Sequence, residues 1–469
     1  MSRISSRWRF AGACAVTVIV GGCARTLPPA SLPEPRPLGS DLRAYEAPAS
    51  SLEGEASSAA PSSAATEPTG ALTLRDALAL ALERNPELAS FSWEVRVREA
   101  EAIQAGLRPN PELAIEVENF AGSGEFQRFD STETTLQLGQ LVELAGKRLK
   151  RQRVARLEQS LAGWDYEVRR LDVLTQTTVT FVGVLSAQER IALAEDVVRL
   201  SEAAADAVAK QVAAGATSPI ERTRAEVAAA TARVELERAT AELSAARTTL
   251  SATWGSSRAF FDRAVGNLDT LEPPPSIDDL EARIEHNPDL ARWVQEVELR
   301  QAVLDLERAR RVPDLEVGPG VRRLSESNDT ALVFGMGVPL PLFDRNQGAS
   351  LAALRDLTKA RHERHAVEVG AGAALRAVHE SLRASFAEAS ALRDRILPQA
   401  EAAYDGLREG YLRGLFRYVE VLDAQRTLFE LRGRKVDALR DYHSAVAEIE
   451  RLTGSALRSD ADGSKGDES

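Results

Sequence analysis

Four short stretches of the chain alternate large apolar residues with small or polar ones. Leu113, Ile115 and Val117 lie on one side of the first, and Leu136 and Leu138 on one side of the second. Leu315, Val317 and Val321 mark the third. In the fourth, Leu332, Phe334, Met336 and Val338 alternate with Ala331, Val333, Gly335 and Gly337. A period of two is the mark of β-strand. It predicts strands at about 112–120, 132–141, 314–323 and 330–338. Gly122-Ser123-Gly124 and Ser325-Glu326-Ser327-Asn328-Asp329 are the loops within each pair.

Elsewhere the period is helical. Helical stretches are expected over about 73–107 and 277–310, each ending at the turn before Pro111 or Pro313. From about Gly146 to Ala214 there is no proline, and one helix of that length would extend about 100 Å. Leu171, Leu174, Thr178, Phe181 and Leu185 step through it at coiled-coil spacing. A break at Gly215 to Pro219 leads to a return helix ending near Thr253. The second half repeats this with about 346–412, a break at Gly414, and about 418–453, where Leu439, Tyr442, Val446 and Ile449 form the seam. Pro398 predicts a local kink.

The two halves are copies. Asn85-Pro86-Glu87-Leu88-Ala89 recurs 202 positions later as Asn287-Pro288-Asp289-Leu290-Ala291, and Pro111-Glu112-Leu113 recurs at the same shift as Pro313-Asp314-Leu315. Gly215, Glu221 and Ala225 match Gly414, Glu420 and Ala424 at a shift of 199. A repeat near 200 residues is too long for a solenoid and means two copies of one substantial unit. The units are expected at 72–254 and 255–454.

Composition narrows the class. Of 469 residues, 27% are charged, and with many Ala, Leu, Glu and Arg residues this points to long helices and not to a sandwich. A net charge of −12 argues against nucleic acid as a partner. Both cysteines, Cys14 and Cys23, lie at the N-terminus, so the body has no disulfide framework and no cysteine metal site. Arg3, Arg7 and Arg9 precede an apolar run from Phe10 to Val20, as in an export signal over 1–22. Val20-Gly21-Gly22-Cys23 resembles a bacterial lipobox, which makes Cys23 the lipidated first residue of the mature chain. A plain signal peptide cut nearby, or a short membrane anchor, is the alternative. Residues 23–71 are rich in Pro, Ala and Ser and read as a disordered linker, and 455–469 as a disordered tail. No later segment has the roughly 20 continuous apolar residues of a spanning helix.

Strands of about 8–10 residues match a tilted membrane strand. Four of them cannot close a barrel, and lipid cannot satisfy open edges. The chain must then pool strands with copies of itself; three chains supply twelve. The order of helix, two strands, long helix, break and helix, present twice, resembles the TolC-like outer-membrane factors of tripartite efflux pumps over about residues 72–454. The resemblance rests on the two Asn-Pro-Glu/Asp-Leu-Ala motifs together with the two break segments, Gly215 to Glu221 and Gly414 to Ala424. It implies a homotrimer, with a twelve-stranded β-barrel in the outer membrane continued by a periplasmic α-helical barrel. It also implies a periplasmic adaptor, an RND-type inner-membrane transporter and outer-membrane lipid as partners. Val142 to Arg148 and Pro339 to Gly348 further resemble the CzcC-type branch of heavy-metal cation efflux, although Ala145 stands where a second glycine is usual.

Glu420 and Asp423 share a helix face in the first turn after the second break. By resemblance they form the acidic constriction that gates the periplasmic end; alone, two carboxylates at a helix N-terminus would equally complement its dipole. Glu221 is the first-copy counterpart, expected to point outward and ion-paired beside Arg222 and Arg224. Gly215, Ile220, Glu221 and Ala225, with Gly414, Val419 and Ala424, resemble the hairpin tips that dock an adaptor, while glycine is also the default helix terminator. His362 and His365 lack a third ligand and His286, His379 and His443 are isolated, so no metal site, cofactor or catalytic constellation is expected. A duct for drugs or solvents, a type I protein-secretion duct, and a pore-free periplasmic scaffold are the competing readings. A scaffold has no use for two alternating strand pairs at equivalent places in two repeats.

Overall fold

The computed structural model describes residues 33–48 and 67–457. The expected export signal, Cys23, and the tail from 458 lie outside the described residues. The first repeat runs β1 (Gly70–Thr73), α1 (Leu74–Arg84), α2 (Pro86–Ala105), β2 (Glu112–Glu118), β3 (Glu133–Val142), α3 (Lys147–Ala213) and α4 (Pro219–Ala252). The second runs β4 (Phe261–Val265), α5 (Ile277–Arg283), α6 (Pro288–Ala309), β5 (Leu315–Leu324), β6 (Asp329–Gly337), α7 (Gln347–Ala391), α8 (Leu397–Leu412) and α9 (Tyr418–Thr453).

Each opening helix is two helices, not the single one expected. Asn85 ends α1 and caps α2, its side-chain oxygen accepting from the amides of Glu87 and Leu88 at 2.9 Å each. Asn287 caps α6 in the same way, accepting from Leu290 N at 3.2 Å. The following proline sits in the first turn, where no intrahelical partner for its nitrogen is needed. The helical period runs on through the break, so periodicity alone conceals it.

The four long strands form one antiparallel sheet in the order β2-β3-β5-β6. The helices attached to them pack in the matching order, α2 on α3, α3 on α6 and α6 on α7. Register fixes the faces. Leu113 pairs with Leu138, Ile115 with Leu136, Leu136 with Val321, and Val321 with Leu332, so these side chains share one face. That face has nothing over it in a single chain: Ile115 is 67% exposed, Leu332 88% and Phe334 71%. The opposite face carries Glu112, Glu116, Glu133, Gln137, Gly318 and Gly335. One side of β2 and one side of β6 stay unpaired. No helix among the described residues is long and apolar enough to cross a membrane.

Midway along the helices, β1 pairs in parallel with β4 of the other repeat. Leu72, Phe181, Leu250, Trp254, Phe261 and Leu439 pack there into the largest core cluster. Neither strand is announced by the sequence, each being too short for a visible alternation. Leu171, Leu174, Phe181 and Leu185 of the expected seam are buried and Thr178 is half-buried. Val173 and Val184 on other sides of α3 are buried too, because α3 here is surrounded rather than seamed.

At Pro398 the second long helix does not simply kink. Residues Leu392–Ile396 form a π-turn between α7 and α8. A wider turn shifts the hydrogen-bond ladder by one residue, which accommodates the missing proline N–H without breaking the helix. No such turn interrupts α3 over its 67 residues.

Part of the expected disordered linker is ordered. Residues 33–48 pack as a strap across α1, α2 and α3; Ala47 is 1% exposed, and Leu38, Leu42 and Ala44 lie against Leu82, Leu88 and Leu174. The segment is too poor in apolar residues to make a core, but it borrows one already made by the helices. Ser455 to Leu457, placed in the expected tail, fold back so that Leu457 N donates to Glu450 Oε1 at 2.9 Å.

Candidate functional site

Two hairpin tips lie at the far end of the long helices. Gly215 (φ 72°) and Gly414 (φ 78°) end α3 and α8 in the left-handed conformation. Gly215 N donates to Val212 O at 3.0 Å and Ala216 N to Gln211 O at 2.9 Å. Gly414 N donates to Tyr411 O and Leu415 N to Gly410 O, both at 2.9 Å. These are the paired bonds of a Schellman end, repeated in both copies. A Cβ at either glycine would meet nothing within 4 Å, so backbone conformation, not crowding, demands glycine here.

Beyond each glycine a new helix starts. Ser218 caps α4 and Pro219 begins it. In the second copy the N-cap is Arg417, which has no capping oxygen, and Glu420 supplies the need from inside the helix. Its Oε2 accepts from Arg417 N at 2.8 Å. Glu420 is half-buried, while Asp423, one turn on, is exposed and takes no part in the cap. The geometry thus divides the two carboxylates: one holds the helix start and the other faces solvent.

The first-copy counterpart behaves otherwise than expected. Glu221 does pair with Arg224, at 3.1 Å. Its Oε2, however, is buried without a hydrogen-bond partner and faces the tyrosines of the second hairpin. Burial pushes the Tyr418 phenol up to about 12, and the Tyr411, Tyr404 and Glu221 side chains push the same way. Tyr411 is raised by burial and by Glu221, and its hydroxyl donates to Gln211 Oε1 at 2.6 Å, joining the two hairpins. Tyr418 packs on Val208 and Ala225. Ala424 lies half-buried beside Val421 and Leu428, whereas Ile220 and Val419 are exposed. Sequence reading passed over Tyr411 and Tyr418, although two tyrosines flanking Gly414 in so aromatic-poor a chain are a usable signal. Beside the tips, a groove of about 950 Å³ runs between α4 and α9, lined by Val227, Thr231, Leu422 and Phe429 among others.

At the opposite end, the face of the sheet opposite the apolar one collects Glu112, Glu116, Glu118, Glu133, Glu316 and Asp329. Arg322 is the basic side chain of that face; it pairs with Glu133 at 3.1 Å and Glu118 at 3.7 Å and donates to Thr135 Oγ1 at 2.9 Å. Among the described residues no group of three or more His, Cys, Asp and Glu side chains is placed to hold a metal ion.

A sheet with one apolar and one acidic face, continued by long packed helices, suits a channel wall. The class is an efflux duct of the outer membrane with a periplasmic extension. The chain belongs to the outer membrane efflux protein family, whose model matches residues 77–256 and, again, 280–455. It is 38% identical over 388 residues to the cobalt-zinc-cadmium resistance protein CzcC of Cupriavidus metallidurans, a match covering 83% of this chain and 91% of that one. The nickel and cobalt resistance protein CnrC of the same organism is 31% identical over 67% of this chain and 73% of its own. Among solved structures the fold is similar to the outer membrane protein VceC of Vibrio cholerae, with a TM-score of 0.69 at 18% identity, covering 82% of this chain and 97% of that chain. CusC matches with a TM-score of 0.65 at 17% identity over 82% and 92%. At these identities the two structures speak to the fold.

Proposed function

We propose that this channel carries heavy-metal cations, as the outlet of a tripartite system with a periplasmic adaptor and an RND-type pump. The observation that carries the reading is electrostatic. The inner face of the sheet gathers six carboxylates against Arg322, which attracts cations into a passive duct. The kinship with CzcC and CnrC, each described by metal resistance, supports the same cargo. Three chains supply the twelve strands of a closed barrel, each joining its free β2 edge to the next chain's β6, since an unpaired edge has no partner in lipid. Glu420 and Asp423 then gather as six carboxylates around the periplasmic mouth and act as its gate. The tips at Gly215, Ile220, Glu221, Ala225, Gly414, Val419 and Ala424, with the groove beside them, are the adaptor-docking surface. Residues 1–22 are the export signal and Cys23 the lipid anchor, with repeats at 72–254 and 255–454.

Deletion of the gene and its complementation test the cargo. The expected result is sensitivity to divalent heavy-metal ions, restored by the intact gene. A change confined to drug or solvent tolerance, or loss of a secreted protein, overturns the metal reading and leaves the duct. Native mass spectrometry that found a stable, unacylated monomer in detergent would overturn both the trimer and the anchor.

A further inference from the structure

Glu167 and Arg170 of α3 form a salt bridge whose side chains are 3% and 4% exposed. Two guanidinium bonds of 2.8 Å join them. What covers the pair is the main chain of the strap. Arg170 Nη1 donates to Leu38 O at 2.9 Å and Nη2 to Arg36 O at 3.0 Å, while Arg36 N donates to Glu167 Oε1 at 2.7 Å. Arg36 thus offers the pair one donor and one acceptor and Leu38 a second acceptor, all of them main-chain atoms met by side chains. The contacts continue past a turn. Tyr166 Oη donates to Tyr45 O at 2.6 Å, Tyr45 N to Leu82 O at 2.9 Å, and Ala47 N to Ser92 Oγ at 2.6 Å. Leu38 N also donates to Gly454 O at 3.1 Å, which ties the strap to the end of the second repeat.

We propose that this surface of the first repeat is a peptide-binding site, recognising an extended segment through its backbone, and that residues 33–48 are its ligand. Three features make it a built site and not a casual contact. The charged pair is buried, every polar group of Glu167 and Arg170 facing the strap is used, and the contacts are to backbone atoms that any extended chain offers. Specificity comes from the turn. Gly39 has φ 64°, and a Cβ there would lie 2.8 Å from Leu174 Cδ1, so the ligand needs glycine at that point. Leu38 and Leu42 on either side fill the apolar floor. Seated, the strap clips the start of the chain to the end of the second repeat.

The test uses the full chain with residues 33–48 replaced by a Gly/Ser stretch of equal length, and a fluorescent peptide of residues 33–48. Saturable binding by anisotropy is expected, weakened at least tenfold by Arg170→Ala in the protein or Gly39→Val in the peptide. Asp41→Asn in the peptide, which removes an exposed pair with Arg75, is expected to change binding less than twofold. In the intact chain, trypsin should cleave after Arg43 at least tenfold faster in the Gly39→Val variant than in the parent. That arm decides the matter if the replaced chain does not fold. Absence of saturable binding by a folded replaced chain overturns the proposal. So does binding indifferent to Arg170 and Gly39, or unchanged cleavage of the intact variant.

Discussion

Asn85 and Asn287 do the same two jobs 202 positions apart. Each caps a helix with its side-chain oxygen, and each donates its side-chain N–H₂ to the end of the helix that closes its own repeat. Asn85 Nδ2 reaches Thr253 O at 2.8 Å and Asn287 Nδ2 reaches Leu452 O at 3.0 Å. Both asparagines are buried, at 8% and 1% exposure. The motif therefore marks the point where each repeat is fastened shut.

Asn85→Ala and Asn287→Ala are each expected to cost about 1–3 kcal/mol, through the lost cap and the carbonyl left without its donor. Asn85→Asp keeps the cap and loses the tie, so it falls between. Thermal melts followed by circular dichroism would show this order. Equal melting of parent and both alanine variants would mean the fastening carries no stability.

Asp289, two residues on, sits half-buried beside Arg451, Asp172, Arg292 and Asp165. Burial raises its pKa, the two aspartates add to the rise, and the two arginines oppose it. A carboxyl whose folded pKa is raised binds its proton more tightly in the native state. Its favourable contribution is therefore full below the ordinary aspartate range and is lost as pH rises through the raised value. Ionised Asp289 at neutral pH is a net cost. Asp289→Asn should raise the melting temperature relative to the parent at pH 7 and leave it unchanged at pH 3. A gain that is larger at the lower pH would reverse the sign and refute the assignment.

The two faces of the sheet should answer differently to one charge. Ile115→Lys places an ammonium on the apolar face and should cost about 2–4 kcal/mol if that face meets lipid. Glu116→Lys, its neighbour on the opposite face, should assemble as the parent does. Heat-stable oligomer recovered from outer-membrane fractions is the readout. Equal tolerance of both would show that the apolar face is not in a bilayer.

The tip carboxylates separate along the line that the cap draws. Like charges a few ångströms apart cost on the order of 1–4 kcal/mol per pair between the dielectrics of water and protein surface, so multivalent cations should bridge them and block current from the periplasmic side. The Glu420→Gln, Asp423→Asn double variant should lose that block and much of its cation preference, with assembly intact. Glutamine can still accept from Arg417 N, so Glu420→Gln alone should keep the helix start. Unchanged selectivity and block in planar bilayers would leave these residues as helix caps only.

The long strands were legible because alternation is a local property and the apolar face is consistent from Leu113 to Met336. The long helices were legible for the same reason. What escaped was everything made by contact between distant segments. β1 and β4 are four and five residues long and exist because they pair with each other across the two repeats. The strap is ordered by Arg170 and Tyr166, more than 100 positions away. At the tips, Gly215 and Gly414 could be read from the chain, but the inward turn of Glu221 could not, since it depends on tyrosines brought in by the other hairpin. Glu420 as a cap needed only the sequence: an arginine at the N-cap position and an acid three residues on.

The two free edges of the sheet also have a meaning in genetics. If a ring closes only when every β2 meets a neighbour's β6, a chain with one damaged edge is a poison and not a mere absence. Expressed equally with the intact chain, it would leave about one ring in eight built wholly from sound subunits of a three-membered ring. A proline placed in β2 should thus act dominantly over the normal gene, while a null allele, contributing no chain at all, should be recessive.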